Sequence, residues 1–405
     1  MPMTATEAGN SAMRDLTSAA NAAGPPRRIR MAPKLAFRNL IHDRLSLAVT
    51  LTGIVFSVVL VAVQFGLYLG SERTIARVLD QTKGDVWVVP LGTKSFDDPS
   101  LLGGREKFAA LSTPGVESVE NLVVGFSSWR KPKGGATTIL LVGSNWTEGG
   151  LAPWNIVEGS LDELLAPSTV AVDRSYFKDL GITAIDDTAE INASKVRVAA
   201  VTRGIRSFTT LPYVFTRRDT ALSMLGASGD QASYTLVRVE PDVDPEDVRR
   251  DLASRLPDQE VLLRNDFRQR SLDYWLFQTG AGAALIAGAM LGLIVGVVIV
   301  AQTLYASTKD HLNEFATLRA LGASSSYIIQ VILLQALMSA VIGYTIGMIL
   351  ALIVNWAAEG TTLNVVMTPE LAATLFAITI GMCIIAAISA IFKVIRIDPA
   401  GVFSR

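Results

Sequence analysis

Four long uncharged apolar runs divide the chain, with polar stretches between them. The first is "LSLAVTLTGIVFSVVLVAVQFGLYL" (Leu45–Leu69). The others are "LFQTGAGAALIAGAMLGLIVGVVIVAQTLYA" (Leu276–Ala306), "YIIQVILLQALMSAVIGYTIGMILALIVNW" (Tyr327–Trp356) and "LAATLFAITIGMCIIAAISAIF" (Leu371–Phe392). None contains Asp, Glu, Lys or Arg, and each exceeds the ~20 residues a helix needs to cross a bilayer. About 25 residues at ~1.5 Å rise carry the first run roughly 37 Å, enough to cross with some tilt. A signal peptide is the rival reading of that run. Its apolar core is too long for one, and no A-x-A cleavage site follows it.

The polar stretches fill in the plan. Residues 1–32, rich in Ala, Ser, Pro and Gly, read as a disordered arm. In "PKLAFRNLIHDR" (Pro33–Arg44), Leu35, Ala36, Leu40 and Ile41 form an apolar stripe at helical spacing. This predicts an amphipathic helix on the membrane surface over 33–44, leading into a first span at 45–69. A large polar domain occupies 70–275, spans follow at 276–306, 327–356 and 371–392, and a tail at 393–405 closes the chain. The connections are 307–326 and 357–370.

The domain at 70–275 reads as mixed α/β. Strands are predicted at Gly84–Gly92, Thr137–Ser144, Lys195–Thr202 and Ser233–Glu240, where β-branched runs end in turn residues. "DPEDVRRDLASRLP" (Asp244–Pro257) predicts a helix capped by Asp244, with Pro245 in its first turn. "EVLLR" (Glu260–Arg264) follows as a strand, which completes a βαβ-like unit. "PKGG" (Pro132–Gly135) suits a hairpin tip.

Charge sets an orientation. Arg27, Arg28, Arg30, Lys34, Arg38 and Arg44 precede the first span, Lys309 and Arg319 lie at 307–326, and Lys393 and Arg396 follow the fourth span. The 357–370 connection has neither Lys nor Arg. The excess of basic residues places both termini and the 307–326 connection in the cytoplasm, and the 70–275 domain outside.

Composition excludes several chemistries. The 405 residues are half apolar and carry 36 basic against 37 acidic groups, so no nucleic-acid footprint is present. Cys383 is the only cysteine, which rules out an intramolecular disulfide and a cysteine-based zinc site. With only His42 and His311, a histidine-rich metal pocket is not expected, and the 70–275 domain cannot hold a Ser-His triad. No phosphate-cradling G-x-x-x-x-G-K-[ST], H-E-x-x-H or G-x-S-x-G occurs. Asp97–Asp98 and Asp186–Asp187 lie in polar loop-like stretches and read as solvated surface rather than as catalytic pairs. The chain therefore reads as no enzyme by itself. Its spans also lack the ionisable residues of an ion-coupled transporter. Gln64, Gln302 and Gln335 are their strongest polar groups, either interhelical glue or the lining of a polar path.

Gly288, Gly292 and Gly296 recur every four residues in the second span, with Gly280 and Ala284 extending the stripe. Small residues on one face let helix backbones approach closely. The stripe serves either packing within the chain or a homodimer seam. Gly343 and Gly347 repeat the device in the third span.

One polar helix remains, "DHLNEFATLRALGAS" (Asp310–Ser324), between the second and third spans. Leu312, Phe315 and Leu318 share one side, opposite Asp310, Asn313, Glu314 and Thr317, while Arg319 interrupts the apolar arc. Ser307 or Thr308 can cap its start and Gly322 ends it. A surface turn would separate two spans more simply. A stiff helix projecting from them suits the reception of force from a soluble motor.

"NEFATLRALGAS" resembles the E-x-x-x-L-[RK]-A-x-G signature of the FtsX/MacB-type (type VII) permeases of ABC transporters. "FKVIRIDPAGVF" (Phe392–Phe403) resembles their closing R-x-D-P-A motif, and "LAFRNLIHDR" the helix that opens them. Within the group the chain looks most like the DevC-like branch, on "HDR", "LLRNDFRQRSLDYW" and "IVGVVIVAQTLYASTKDHLNEFATLRALG". The resemblance implies an α-helical membrane protein with four transmembrane helices in a one-plus-three plan. A large extracytoplasmic α/β domain, the MacB-like periplasmic core domain, would follow the first span. It implies a multi-pass permease of the bacterial plasma membrane. The permease would dimerise with itself and bind two copies of a separate ATPase that holds ATP and magnesium, needing no cofactor of its own. Asp310, Leu312, Glu314, Phe315, Leu318, Arg319, Ala320 and Gly322 would couple it to that ATPase, and Arg396, Asp398 and Pro399 would brace the coupling helix from the tail. The Asp310-His311 pair departs from the Lys-Glu or Arg-Thr of many relatives, which leaves the matching ATPase unnamed. A periplasmic adaptor and an outer-membrane channel are the branch's usual companions. The alternatives are a signalling scaffold that regulates a cell-envelope enzyme without moving a substrate, and an ectoenzyme anchored by four spans.

Overall fold

The computed structural model describes residues 32–146, 150–311, 317, 324–358 and 364–395. Among the described residues, four helices are long and apolar enough to cross a membrane: Arg44–Asp80, Ala281–Asp310, Ser325–Ala358 and Pro369–Ile395. A short helix, Ala32–His42, precedes them. It ends where Asp43 accepts the Ser46 N–H at 3.1 Å and caps the next helix.

The first and second span helices differ from the apolar runs that announce them. The first continues to Asp80, through "SERTIARVLD", as one element. Its polar extension is not a loop because Ile75, Val78 and Leu79 recur at helical spacing and are buried. The second begins only at Ala281, although its apolar run starts at Leu276. Residues Tyr274–Gln278 form a π-helical turn, and Gly280 (φ +79°) breaks the helix in a conformation that favours glycine.

The chain divides into two compact units. The span unit comprises residues 1–62, 290–351 and 369–405, and the interspan unit residues 63–289 and 352–368.

Among the described residues, ten strands build the interspan unit: β1 Val86–Pro90, β2 Val116–Arg130, β3 Ala136–Ser144, β4 Ile156–Gly159, β5 Thr169–Asp173, β6 Thr188–Ile191, β7 Ser194–Thr202, β8 Tyr213–Arg217, β9 Tyr234–Val239 and β10 Gln259–Leu263. They run in the order β10-β1-β9-β2-β3-β8-β5-β7-β4, with β6 bridging β2 and β7. The expected βαβ unit is present in split form. β9 and β10 both pair antiparallel to β1, which lies between them, and the helix Pro245–Arg255 joins them. The Asp244 carboxylate accepts the Glu246 N–H at 2.9 Å, as the sequence predicts. Residues 131–135 turn the β2–β3 hairpin.

β2 pairs with β9 through Val116–Leu122 and with β3 through Val123–Arg130, so one strand serves two neighbourhoods. Both faces are covered near it. Val86 and Val88 of β1 pack beneath the helix at 245–255, while Trp87 and Val89 enter the opposite core with Leu122, Tyr234 and Phe267.

One expectation is overturned in this core. Asp97 is not a solvated surface acid, because its Oδ1 accepts the Tyr213 hydroxyl at 2.6 Å. Burial pushes its pKa up to about 6, against the lowering effect of that hydrogen bond. Phe96, buried beside it, packs on Trp87 and Tyr234, and this draws the acid inward. Asp186–Asp187 does behave as surface. Asp187 accepts from the Thr183 and Ala184 N–H groups, which hold its pKa below the usual range, and Asp186 pairs with Arg197.

Candidate functional site

In the span unit, the first span lies against the second, third and fourth. Ile54 and Val58 share one core with Val300, Leu304, Ile332, Ala336, Ala340, Met382, Ala386 and Ala390. The small residues admit close approach. A methyl group at Gly296 would sit 2.6 Å from both Ser57 Oγ and Met382 Sδ. Ser57 Oγ donates to the Gly292 carbonyl at 2.9 Å. Gly292 also faces Leu60 and Val61, and Gly343 and Gly347 face Ile54 and Val58. In the interspan unit Gly288 faces the Gln64 amide. Of the two readings of the glycine stripe, packing within the chain is the one realised. The homodimer seam is not built from Gly288, Gly292 and Gly296, because the chain's own first span fills that face. The second span instead exposes Ile286, Met290, Leu291, Ile294 and Val298.

Gln335 is buried in a small polar pocket with Asn39, Asp43, Ser46, Thr50, Ser307 and Ser339. Its cavity of about 10 Å³ holds at most one water. A packed pocket of that size suits interhelical glue better than a polar path.

In the interspan unit, two helical leads clamp each other. Ile75 meets Leu272 and Leu276, with Tyr68, Phe208 and Trp275 packed around them. Val78 and Leu79 enter the core that contains Trp87 and Phe267. Arg268 Nε donates to Asp80 Oδ1 at 3.2 Å, and Arg264 Nη1 donates to the Thr82 carbonyl at 3.1 Å. Arg270 pairs with Glu260, which also accepts the Gly92 N–H at 2.8 Å. Burial raises the Glu260 pKa, but Gly92 and Arg270 outweigh it and hold the carboxylate below its usual range. The stretch that enters the domain and the stretch that leaves it are thus fastened side by side.

A second fastening was not visible in the sequence. A methyl group at Gly70 would lie 1.6 Å from the Asn364 carbonyl oxygen. Val366 N–H donates to the Gly66 carbonyl at 3.0 Å, and Asn364 Nδ2 to Thr74 Oγ1 at 3.2 Å. The Gly66-x-x-x-Gly70 spacing is the small-residue pattern that could have shown it.

Of the predicted coupling residues, Asp310 is exposed at the end of its helix. Leu312, Glu314, Phe315, Leu318, Arg319, Ala320 and Gly322 lie outside the described residues, as do Arg396, Asp398 and Pro399. Among the described residues no His, Cys, Asp and Glu cluster could hold a metal ion.

Residues 47–255 match the MacB-like periplasmic core domain family, and residues 286–399 the FtsX-like permease C-terminal family. Uncharacterized ABC transporter permeases of Mycobacterium bovis and Mycobacterium tuberculosis are 25% identical over 367 residues, covering 89% of this chain and 95% of theirs. Among solved structures, the periplasmic region of MacB from Actinobacillus actinomycetemcomitans matches 47% of this chain and 94% of its own, at 15% identity and TM-score 0.36. The extracellular domain of the noncanonic ABC-type transporter YknZ from Gram-positive bacteria matches 44% and 98%, at 14% identity and TM-score 0.34.

Proposed function

The chain belongs to the family of ABC transporter permeases with an FtsX-like C-terminal region and a MacB-like periplasmic core domain, and from that premise we propose that it turns ATP hydrolysis by a partner subunit into movement of its interspan domain. It is a permease subunit and not the ATPase. The ATPase binds on the cytoplasmic side, at the helix of Asp310–Ala320. Glu314, Leu318, Arg319, Ala320 and Gly322 meet it, and Arg396, Asp398 and Pro399 brace that helix from the tail. Two permeases and two ATPases make one machine, with both permease termini in the cytoplasm and the interspan domain outside. The work done is export of a substrate, with an adaptor and outer channel as in the DevC-like branch.

One observation carries this reading. The helix Arg44–Asp80 is a single element that begins as a membrane span and ends in the core of the α/β domain. A helix transmits displacement along its axis because each turn is tied to the next by backbone hydrogen bonds. The clamp of Arg268 on Asp80 and of Ile75 on Leu272 supports joint motion of the segments that enter and leave the domain.

The test is ATP hydrolysis by the reconstituted permease–ATPase complex. Glu314→Lys reverses a charge and Phe315→Asp removes an apolar contact. Each is expected to reduce permease-stimulated hydrolysis at least tenfold, with the permease still inserted in the membrane. Wild-type stimulation in both variants overturns the assignment of this helix. Stimulated hydrolysis without substrate movement across vesicles or spheroplasts would favour the scaffold reading over export.

A further inference from the structure

The interspan unit contains a cleft of about 240 Å³ whose lining includes Arg77, Gly204, Arg206, Asn355, Asn364 and Val365. Two guanidinium groups and two carboxamides line it, and among the described residues no carboxylate does. Arg77 Nη1 donates to the Gly204 carbonyl at 3.3 Å, so the loop between β7 and β8 fixes one face of its fork. Among the described residues Arg77 makes no ion pair. Asn364 is fixed by its bond to Thr74 Oγ1. Arg73, one turn before Arg77 on the same helix face, is exposed and adds a second positive charge along that face.

The cleft's place along the chain gives the level of its ligand. Arg77 lies eight residues past the end of the first apolar run, about 12 Å along the helix. Asn355 is the penultimate residue of the third run, and Asn364 lies five residues before the fourth span helix starts. All three segments lie where spans leave the hydrocarbon, and a long arginine side chain reaches back toward that boundary. Aromatic residues mark the same level. Tyr68, Phe208 and Trp275 cluster together, and Trp356 beside Asn355 is 73% exposed. A volume of about 240 Å³ is several times the ~30 Å³ of a water, more than a bare ion requires.

We propose that this cleft binds a phosphate group, presented by an anionic glycerophospholipid headgroup of the bordering leaflet, through Arg77 and Arg206 with Asn355 as an additional donor. Guanidinium forks match phosphate oxygens with paired N–H···O bonds, and the Asn355 carboxamide N–H satisfies a remaining oxygen. The site is independent of the coupling helix. It would hold the domain in register with the membrane surface whatever the partner subunit does.

The test uses the full chain purified in detergent and presented with phosphatidylglycerol, phosphatidylcholine or inorganic phosphate. Retained lipid is read by native mass spectrometry. Wild type is expected to retain phosphatidylglycerol over phosphatidylcholine. The double variant Arg77→Gln, Arg206→Gln is expected to lose at least tenfold in apparent affinity, and the double lysine variant to keep most of it. Asn355→Asp, which adds a carboxylate to the lining, is expected to weaken retention while leaving gel-filtration behaviour unchanged. Displacement of the lipid by millimolar inorganic phosphate identifies phosphate as sufficient. No displacement identifies the whole headgroup as the ligand. Either supports the site. Equal retention of phosphatidylglycerol by wild type, the glutamine variant and a folded Asn355→Asp overturns it.

Discussion

Replacing Asp97 by Asn tests whether a half-buried carboxyl group at the edge of the interspan domain's core resists ionisation. Burial raises the Asp97 pKa from 3.8 to about 6, despite the 2.6 Å hydrogen bond from Tyr213. Burial raises the Tyr213 pKa as well, so the phenol stays neutral and can donate. Because the folded-state pKa lies above the unfolded one, the folded protein binds more protons between about pH 4 and 6. Stability is therefore full below the unfolded pKa, falls as pH rises through that window, and levels off above about 6. A shift of roughly two units is worth at most about 3 kcal/mol. Asp97 is only half-buried, so solvent screening reduces this to about 1–2 kcal/mol. Asn keeps an oxygen for the Tyr213 hydroxyl and removes the titration. The assay is hydrogen exchange of β8 and β9 amides in the full-length protein from pH 4 to 8, corrected for intrinsic exchange. Wild type is expected to lose protection across the window and Asp97→Asn to stay level, exceeding wild type above pH 7 by about tenfold in the protection factor. Parallel pH profiles would refute the argument.

Two further outcomes follow from packing. Gly296→Val must displace Ser57 and Met382, and overpacking of this kind costs about 1–3 kcal/mol or more, so fluorescence-detected gel filtration of membrane extracts should show little folded protein. Gly381→Ala meets nothing within 4 Å and should extract like wild type; equal behaviour of the two would contradict the packing described. Leu79→Ala empties a fully buried position where the first span helix enters the domain core, at about 2–5 kcal/mol. Exchange protection of β1 should fall and stimulated ATP hydrolysis should drop while the ATPase still co-purifies, and undiminished stimulation would separate the stalk from coupling.

Interactions close in sequence were legible. Asp244 followed by Pro245 caps its helix through the Glu246 N–H; β1 and β9 fall inside the β-branched runs that announce them, and β3 and β7 begin one residue before theirs. β2 was not visible, although it is the longest strand. Its polar residues Glu117, Glu120 and Asn121 interrupt the pattern, and they are tolerated because partners arrive from far along the chain. Thr235 Oγ1, for example, donates to Asn121 Oδ1 at 2.8 Å. Asp97 misleads in the same way, since its environment depends on Tyr213, more than a hundred residues away.

The sequence by itself determined four crossings, a one-plus-three order, the absence of a nucleotide-binding loop and the place of a polar segment between the second and third spans. Each of these depends on how many apolar residues are contiguous or on what lies within a few positions. Only the tertiary structure decided which helix fills the glycine stripe, that the first span helix continues to Asp80 among buried side chains, and that Arg77, Arg206, Asn355 and Asn364 surround one cleft. Those outcomes depend on which distant surfaces meet, and hydropathy along a chain contains no information about distance between segments.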